Sequence, residues 1–178
     1  MSKDKFQKGL VHVYTGDGKG KTTAALGLAL RASGHDLNVH MIQFMKGDIN
    51  YGELRAVMHL PNFTIVQFGR ASFVDRENPS EEDKALAEKA LEHAREVVNK
   101  GEVDILILDE LNVAVDFKLI EVEDVLSLIE SKPEHMEMVI TGRNAHEKII
   151  ERGDYVTDMR SVKHPFEEGI LGRWAIEH

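Results

Sequence analysis

The chain has 178 residues, no cysteine and a formal net charge of −9. This length is ordinary for one domain, so residues 1–178 are expected to form a single domain with its own core. The acidic balance argues against a nucleic-acid partner bound by phosphate neutralisation, and the lack of cysteine excludes disulfides and thiolate zinc sites.

The sequence also indicates where the protein works. Residues 1–5 are charged and lack the apolar core of a signal peptide. No apolar run is long enough to span a bilayer, so no membrane partner is expected. We therefore expect a cytoplasmic protein.

The strongest local pattern lies near the start of the chain. Residues 10–15 are apolar and β-prone, residues 16–23 read Gly-Asp-Gly-Lys-Gly-Lys-Thr-Thr, and residues 24–32 form a helical apolar run. This pattern predicts a P-loop, in which a strand is followed by a glycine-rich turn ending in Gly-Lys-Thr and then by a helix, and which binds phosphates. The alternative is a turn that only joins a strand to a helix.

The residue types of this loop suit phosphate chemistry. Gly16, Gly18 and Gly20 let backbone N–H groups approach phosphate oxygens where a Cβ would clash. Lys21 supplies a positive charge to the phosphates, and Thr22 supplies a hydroxyl for Mg²⁺ at the positive end of the following helix.

The loop departs from the usual spacing. A glycine is normally found five residues before Gly20, where this chain has Thr15, and the glycine comes one position later at Gly16. The loop is therefore a shortened variant, and the motif alone does not fix the orientation of its nucleotide.

Beyond the loop, apolar periodicity and turn residues predict alternating strands and helices. Strands are predicted at residues 38–44, 63–68, 103–108, 138–141 and 155–159. Helices are predicted at residues 22–33, 54–60, 80–100, 122–131 and 145–152. This alternation implies an α/β fold of three layers, a P-loop (RecA-like) arrangement with a mainly parallel central sheet flanked by helices.

Helix ends are marked by specific residues. Ser80 is a predicted N-cap, with Asp83 at the capping-box position, and Gly101 ends the helix. Gly34 is the predicted stop of the first helix. The face predicted to be buried on the longest helix is rich in alanine, with Ala87, Ala90, Leu91, Ala94, Val97 and Val98.

Two further groups of residues follow strands. Asp109 and Glu110 come after the almost continuously apolar strand 103–108, at the place where P-loop proteins hold Mg²⁺ with a carboxylate. The alternative is an acidic strand end that is merely solvated. Arg143 follows the strand 138–141 and would contact phosphate oxygens, or else form a surface salt bridge.

In combination, these blocks resemble the corrinoid adenosyltransferases, a P-loop family that adenosylates cobalamin precursors. The resemblance runs in order through nearly the whole chain, over residues 13–25, 43–47, 52–53, 108–112, 141–146, 163–166 and 169–170. Several ordered blocks are far more specific than a single Gly-Lys-Thr.

The resemblance implies that ATP donates its 5′-deoxyadenosyl group to the cobalt of a Co(I) corrinoid and that inorganic triphosphate leaves. It also implies a nucleotide held in reversed sense relative to hydrolytic NTPases. Lys21 and Glu110 would act catalytically through charge and positioning, and Thr22 and Asp109 would hold Mg²⁺. The implied ATP-binding residues are Thr15, Gly16, Asp17, Gly18, Lys19, Gly20, Lys21, Thr22, Thr23 and Arg143.

The resemblance also suggests residues on the corrinoid side, namely Phe44, Lys46, Glu53 and Phe73. Some family members shield the lower face of cobalt with aromatic side chains that include a tryptophan. Here Val74 lies about where that tryptophan would fall, so Phe73 would have to shield the cobalt alone. From periodicity alone, Phe44 and Phe73 are equally compatible with the core.

Partners are implied in the same way: ATP, a reduced corrinoid, a flavoprotein or other reductase, and a second copy in a homodimer. Two other classes remain open. A P-loop small-molecule kinase would transfer a phosphoryl group, although the thymidine-kinase type carries a cysteine zinc site that this chain lacks. A RecA-like ATPase would cleave ATP to ADP and would use an acid such as Glu110 to activate water.

Overall fold

One parallel sheet organises the molecule. The computed structural model describes residues 8–176, so residues 1–5, on which the expectation about a signal peptide rests, lie outside them. Within the described range the strands are β1 (Val11–Thr15), β2 (Val39–Phe44), β3 (Phe63–Phe68), β4 (Ile105–Asp109), β5 (Glu137–Thr141) and β6 (Tyr155–Asp158). Every pairing is parallel, in the order β3-β2-β4-β5-β1-β6. The predicted α/β fold is confirmed.

Helices cover both faces of this sheet. They are α1 (Lys21–Ser33), α2 (Gly52–Ala56), α3 (Glu81–Lys100), α4 (Leu111–Asp116), α5 (Val122–Ser131) and α6 (Glu147–Arg152), with 3-10 turns at Val57–His59 and Pro165–Glu168. Apolar side chains of α1 pack on one face of the sheet. Those of α3, α4, α5 and α6 pack on the other face, which produces three layers.

The capping prediction for α3 is confirmed. The Ser80 hydroxyl accepts from the Asp83 N–H, the Asp83 carboxylate accepts from the Ser80 N–H, and Gly101 ends the helix at φ 62°. The predicted alanine-rich face is buried against the sheet, with Val97 only partly buried. None of the helices within residues 8–176 combines the length and apolarity needed to cross a bilayer.

The structure corrects the predicted helices at two places and confirms one helix end. The helix predicted at residues 54–60 is the shorter α2, continued by a 3-10 turn. Helix α4 was not predicted, because it is only six residues long and follows β4 without a separating turn. The prediction that Gly34 ends α1 is confirmed, because Gly34 is the C-cap; it is right-handed at φ −64°, and the left-handed residue after α1 is Asp36 at φ 59°.

Because all strands are parallel, their carboxyl ends lie along one edge of the sheet, where ligands of α/β proteins bind. The order places β4 between β2 and β5 and places β1 between β5 and β6. The phosphate loop, Asp109, Lys46 and Thr141 therefore lie on adjacent strand ends.

Candidate functional site

The phosphate loop connects β1 directly to α1. Gly16 and Gly20 have φ values of 92° and 117°, which favour glycine. The ammonium of Lys21 donates to the carbonyl oxygens of Gly16 and Gly18 at 2.6 and 2.7 Å. Burial lowers the pKa of Lys21, and the charge of Arg143 lowers it further. Lys21 therefore lies in the centre of the loop, and Arg143 is close enough to affect its charge.

The glycines of this loop also pack against the end of β6. A Cβ on Gly16 would lie 2.2 Å from Asp158 Oδ1, and one on Gly18 would lie 2.6 Å from the Met159 carbonyl oxygen. The Gly18 N–H donates to that carbonyl at 2.6 Å. These two positions therefore require glycine for packing within the protein, a role that the motif does not indicate.

Thr15 stands where the usual motif has glycine. Its hydroxyl accepts a hydrogen bond from the Ala145 N–H at 3.1 Å, and its carbonyl accepts from the Met159 N–H at 2.9 Å. This side chain ties the start of the loop to the segment after β5. Other predicted loop residues, Asp17, Lys19 and Thr23, are exposed.

Asp109 connects the loop to three strands. Its Oδ1 atom accepts from the hydroxyls of Thr22 at 2.9 Å and Thr141 at 2.7 Å. Its Oδ2 atom accepts from Lys46 Nζ at 2.7 Å and Gln43 Nε2 at 3.3 Å. The carboxylate is fully buried, so these four donors offset the cost of removing its charge from water.

Lys46 and Glu53 belong to the same network. Burial lowers the pKa of Lys46, but the neighbouring Asp109 carboxylate more than offsets this, so the pKa is raised. Its ammonium lies 5.6 Å from the centre of the Tyr51 ring. Gln43 donates to Glu53 Oε1 at 3.1 Å. Of the four residues predicted on the corrinoid side, Lys46 therefore contacts Asp109 directly, and Glu53 is linked to it through Gln43.

Glu110 has an unusual backbone. It adopts φ 64° between β4 and α4, and its N–H donates to Thr141 Oγ1 at 3.1 Å. Burial raises the pKa of its carboxyl, and the charge of Asp109 raises it further. Positive φ in a glutamate is uncommon, and such residues concentrate at functional sites.

Cations surround this glutamate. The groups whose charges favour its ionised form are Lys46, Lys21 and Arg143. Arg143 is exposed, so it remains accessible to a ligand. The site therefore combines three cations and two carboxylates at one end of the phosphate loop.

The two phenylalanines predicted on the corrinoid side have different environments. Phe44 is fully buried in the hydrophobic core, so its side chain offers no surface to a corrinoid, and that prediction is corrected. Phe44 is the last residue of β2, a strand in which every residue except His40 is buried. Phe73 is fully exposed on the loop between β3 and α3.

This β3–α3 loop, residues 69–80, is tethered near its start to α3 and to the loop after β2. Arg70 makes two hydrogen bonds of 2.9 Å to the carboxylate of Asp83 in α3. Near its start, Gly69 contacts the loop after β2, where a Cβ on Gly47 would lie 2.2 Å from the Gly69 carbonyl oxygen. Phe73 therefore lies on a tethered loop that adjoins the segment carrying Lys46.

Several residues of the site were not predicted. Gln43, Thr141 and Asn112 are buried at strand or helix ends, and the first two contact Asp109. The Asn112 amide donates weakly to the Gly142 carbonyl at 3.4 Å, and its Oδ1 has no partner among the described residues. A polar residue near the end of an apolar strand can indicate a site residue, and Gln43 is such a residue.

The carboxylates do not form a metal centre by themselves. Across residues 8–176, no group of three or more histidine, aspartate or glutamate side chains is placed to hold a metal ion. An ion at this site would therefore take further oxygen ligands from Thr22 and from phosphates, as Mg²⁺ does in nucleotide sites.

Comparison with known proteins agrees with this arrangement. The model of the family described as ATP:corrinoid adenosyltransferase BtuR/CobO/CobP matches residues 7–178. The corrinoid adenosyltransferase CobA of Salmonella typhimurium is 35% identical over 173 residues, which cover 97% of this chain and 87% of that protein.

Two other relatives give the same result. The corrinoid adenosyltransferase of Sinorhizobium sp is 37% identical over 174 residues, 96% of this chain and 81% of that protein. The corrinoid adenosyltransferase of Pseudomonas aeruginosa is 34% identical over 171 residues, 96% of this chain and 84% of that protein. The family model and these relatives match over nearly the whole of this chain, which also has a phosphate loop and a buried acid at the end of β4; the chain therefore belongs to the corrinoid adenosyltransferase family.

Proposed function

We propose that this protein transfers the 5′-deoxyadenosyl group of ATP to the Co(I) centre of a corrinoid, in adenosylcobalamin biosynthesis or salvage. The observation that carries this proposal is the family match over residues 7–178, which include every element of the site. The cobalt electron pair forms the Co–C bond to C5′, and the C5′–O bond breaks with its electrons passing to inorganic triphosphate. Cobalt is thereby formally oxidised to Co(III).

The residues act by positioning and charge. Lys21 and the backbone of residues 16–23 bind the phosphate chain, and Arg143 adds a second cation. Negative charge grows on the leaving triphosphate, so fixed cations lower the barrier without a protein nucleophile or general base. Glu110, which lies among these cations, orients them and contacts the ribose side.

Mg²⁺ is proposed as the cofactor bound with ATP. The donors fit this ion, because the Thr22 hydroxyl and the carboxylates of Asp109 and Glu110 are hard oxygen ligands. Asp109 already accepts the Thr22 hydroxyl at 2.9 Å, so the threonine is oriented by the acid. When bound, the ion would neutralise phosphate charge.

Corrinoid binding is proposed beside Lys46, Glu53 and Phe73. Lys46 contacts Asp109 directly, and Glu53 is linked to it through Gln43. The exposed ring of Phe73 offers an apolar surface to a flat macrocycle. A corrinoid at this place would meet the ribose end of a nucleotide whose phosphates lie over Lys21.

We also propose a homodimer, a reductase that supplies Co(I), and a cytoplasmic location. Strand β6 supports the homodimer, because it is an edge strand on which Tyr155 and Val156 are 54% and 44% exposed. Sedimentation of the purified protein tests the dimer. Anaerobic reconstitution with a reduced flavoprotein tests the reductase.

The decisive assay is anaerobic incubation with MgATP and chemically reduced cob(I)alamin. Light-sensitive adenosylcobalamin and inorganic triphosphate are the expected products. Lys21→Ala should abolish product formation by removing the central phosphate cation, whereas Lys89→Ala, an exposed change on α3, should not. An unchanged corrinoid spectrum with cleavage of ATP to ADP would instead favour a kinase or ATPase.

A further inference from the structure

A carboxylate at the end of helix α4 joins two segments that are far apart in the chain. Asp116 is the last residue of α4, and its side chain is 17% exposed. Its Oδ1 atom accepts a hydrogen bond from Arg76 Nη2 at 3.1 Å, and its Oδ2 atom accepts one from Asn144 Nδ2 at 3.0 Å. Asp116 therefore connects the β3–α3 loop to the turn after β5.

The stability of α4 itself does not explain this acid. The C-terminal end of a helix presents unsatisfied carbonyl groups, which favour cations and disfavour a carboxylate. The last turn of α4 contains no basic residue that would offset the charge of Asp116. The carboxylate is stabilised instead by the donors on the two other segments, Arg76 and Asn144.

The first partner lies on the loop that carries Phe73. Arg76 follows Phe73 by three residues, and its guanidinium also lies 6.0 Å from the centre of the Phe117 ring. Nearer the start of this loop, Arg70 makes two hydrogen bonds to α3. The exposed ring of Phe73 therefore lies between two arginines that are each held by a helix or its end.

The second partner lies beside Arg143. A Cβ on Gly142 would lie 2.9 Å from the Val113 N atom near the start of α4, whereas Asn144, at φ 55°, contacts the end of the same helix through Asp116. The backbone on both sides of Arg143 is thus fixed by α4. The direction of this exposed guanidinium depends on the Asn144 contact.

We propose that Asp116 is a positioning residue for both substrates. Through Asn144 it fixes Arg143 beside the phosphates of ATP. Through Arg76 it fixes the loop whose Phe73 ring faces the corrinoid. The proposal rests on the proposed function, which assigns Arg143 and Phe73 to those two substrates.

Helix α4 relates these two segments to the reacting groups. It begins directly after Glu110 and has six residues, a length of about 9 Å. Attack of cobalt on C5′ depends on the relative position of the two bound substrates, and an error of about 1 Å in such a position costs on the order of 100-fold in rate. One carboxylate on one short helix holds both binding segments in a fixed relation.

The test is steady-state kinetics of the full chain with MgATP and chemically reduced cob(I)alamin, in which the KM of each substrate is measured with the other saturating. Asn144→Gly keeps a residue that adopts positive φ readily and should raise the KM for ATP alone. Arg76→Gln should raise the KM for the corrinoid alone. Asp116→Ala should raise both, each by about fivefold, the equivalent of one lost hydrogen bond.

Two comparisons separate this role from a general effect of removing a charge. Asp124→Ala also removes an ion pair between an aspartate and an arginine, the exposed pair with Arg95, and should leave both KM values unchanged. If Arg76 acts through the acid, Asp116→Ala/Arg76→Gln should have the same KM for the corrinoid as Asp116→Ala alone. A further rise in the double variant would contradict the proposal.

Other outcomes would also overturn it. Unchanged KM values in Asp116→Ala together with a lower thermal midpoint would assign the acid a purely structural role. A rise of both KM values in each partner variant would show that the two segments do not serve separate substrates. Failure of the unmodified protein to form adenosylcobalamin would contradict the proposed function itself. Arg76→Gln and Asn144→Gly change only exposed side chains, so they test the proposal even if Asp116→Ala does not fold.

Discussion

Asp109 shows how single atoms hold this site together. Each of its carboxylate oxygens accepts two hydrogen bonds, from groups on β2, the loop after β2, α1 and β5. Because the carboxylate is fully buried, its charge depends on these donors. Asp109 is therefore a structural residue as well as a candidate metal ligand.

Replacing this acid should destabilise the protein. In Asp109→Asn the Lys46 ammonium, only 15% exposed, loses its partner, and we expect the free energy of unfolding to fall by about 3 kcal/mol. Urea unfolding measures this change. Asp124→Asn breaks the exposed pair with Arg95 and should cost less than about 1 kcal/mol; equal losses in the two variants would contradict the argument.

A histidine pair predicts a pH dependence of stability. His40 Nε2 lies 2.9 Å from His93 Nε2, and His40 Nδ1 lies 2.6 Å from Thr64 Oγ1. Burial, with a smaller contribution from His93, lowers the pKa of His40 from 6.5 to about 4. The unfolded chain therefore takes up the proton first, so stability should fall as the pH drops from 6.5 toward about 4.

The variant His40→Gln should flatten this dependence, as measured by urea midpoints across the same pH range. His59→Gln is the matched control, because His59 is exposed on the 3-10 turn after α2. A slope in His40→Gln equal to that of the unmodified protein would assign the dependence to other groups.

At the scale of elements, helix α3 organises the loop that carries Phe73. Asp83 closes the capping box with Ser80 and also receives both hydrogen bonds from Arg70. Burial raises the pKa of Asp83, but the hydrogen bonds from Ser80 and Arg70 together lower it by more, so its pKa lies below the ordinary value. One carboxylate thus begins the helix and fixes the loop.

Removing this carboxylate should affect both roles. We expect Asp83→Ala to lower the free energy of unfolding by about 2 kcal/mol, from the lost cap and the lost bidentate pair. The KM for the corrinoid should rise while the KM for ATP stays constant, because only the β3–α3 loop is released. Glu81→Ala removes a surface pair with Lys84 in the same helical turn and should change neither quantity appreciably.

At the scale of the whole molecule, the site depends on contacts between distant segments. Gly142, after β5, has φ 132°, and a Cβ there would lie 2.9 Å from Asn112 Cβ and from the Val113 N atom of α4. This close approach joins the end of β5 to the helix that follows β4. It also sets the start of the segment that carries Arg143.

Gly142→Ala should therefore be destabilising by about 1–3 kcal/mol, through strain at positive φ and the clash with α4. Gly27→Ala is the contrasting variant, because Gly27 lies inside α1 and a Cβ there would meet no atom within 4 Å. That change should be stabilising by about 0.5–1 kcal/mol. Thermal unfolding of both variants measures the contrast, and a loss of the same size in Gly27→Ala would refute the explanation.

The sequence by itself determined the local features of this protein. Alternating apolar patterns predicted the strands and longer helices, the capping residues predicted the start of α3, and the glycine-rich turn predicted the phosphate loop. These features follow from interactions between residues close in the chain. Asp109 at the end of β4 was also predicted, because it follows an almost continuously apolar run that is typical of a buried strand.

The tertiary structure decided which of these features meet. Strand order placed Asp109 among Thr22, Thr141 and Lys46, and it placed the segment after β6 against the loop glycines. It also buried Phe44 and left Phe73 exposed. Such outcomes depend on pairing between residues far apart in the chain, and a local pattern of apolar and polar residues carries no information about that pairing.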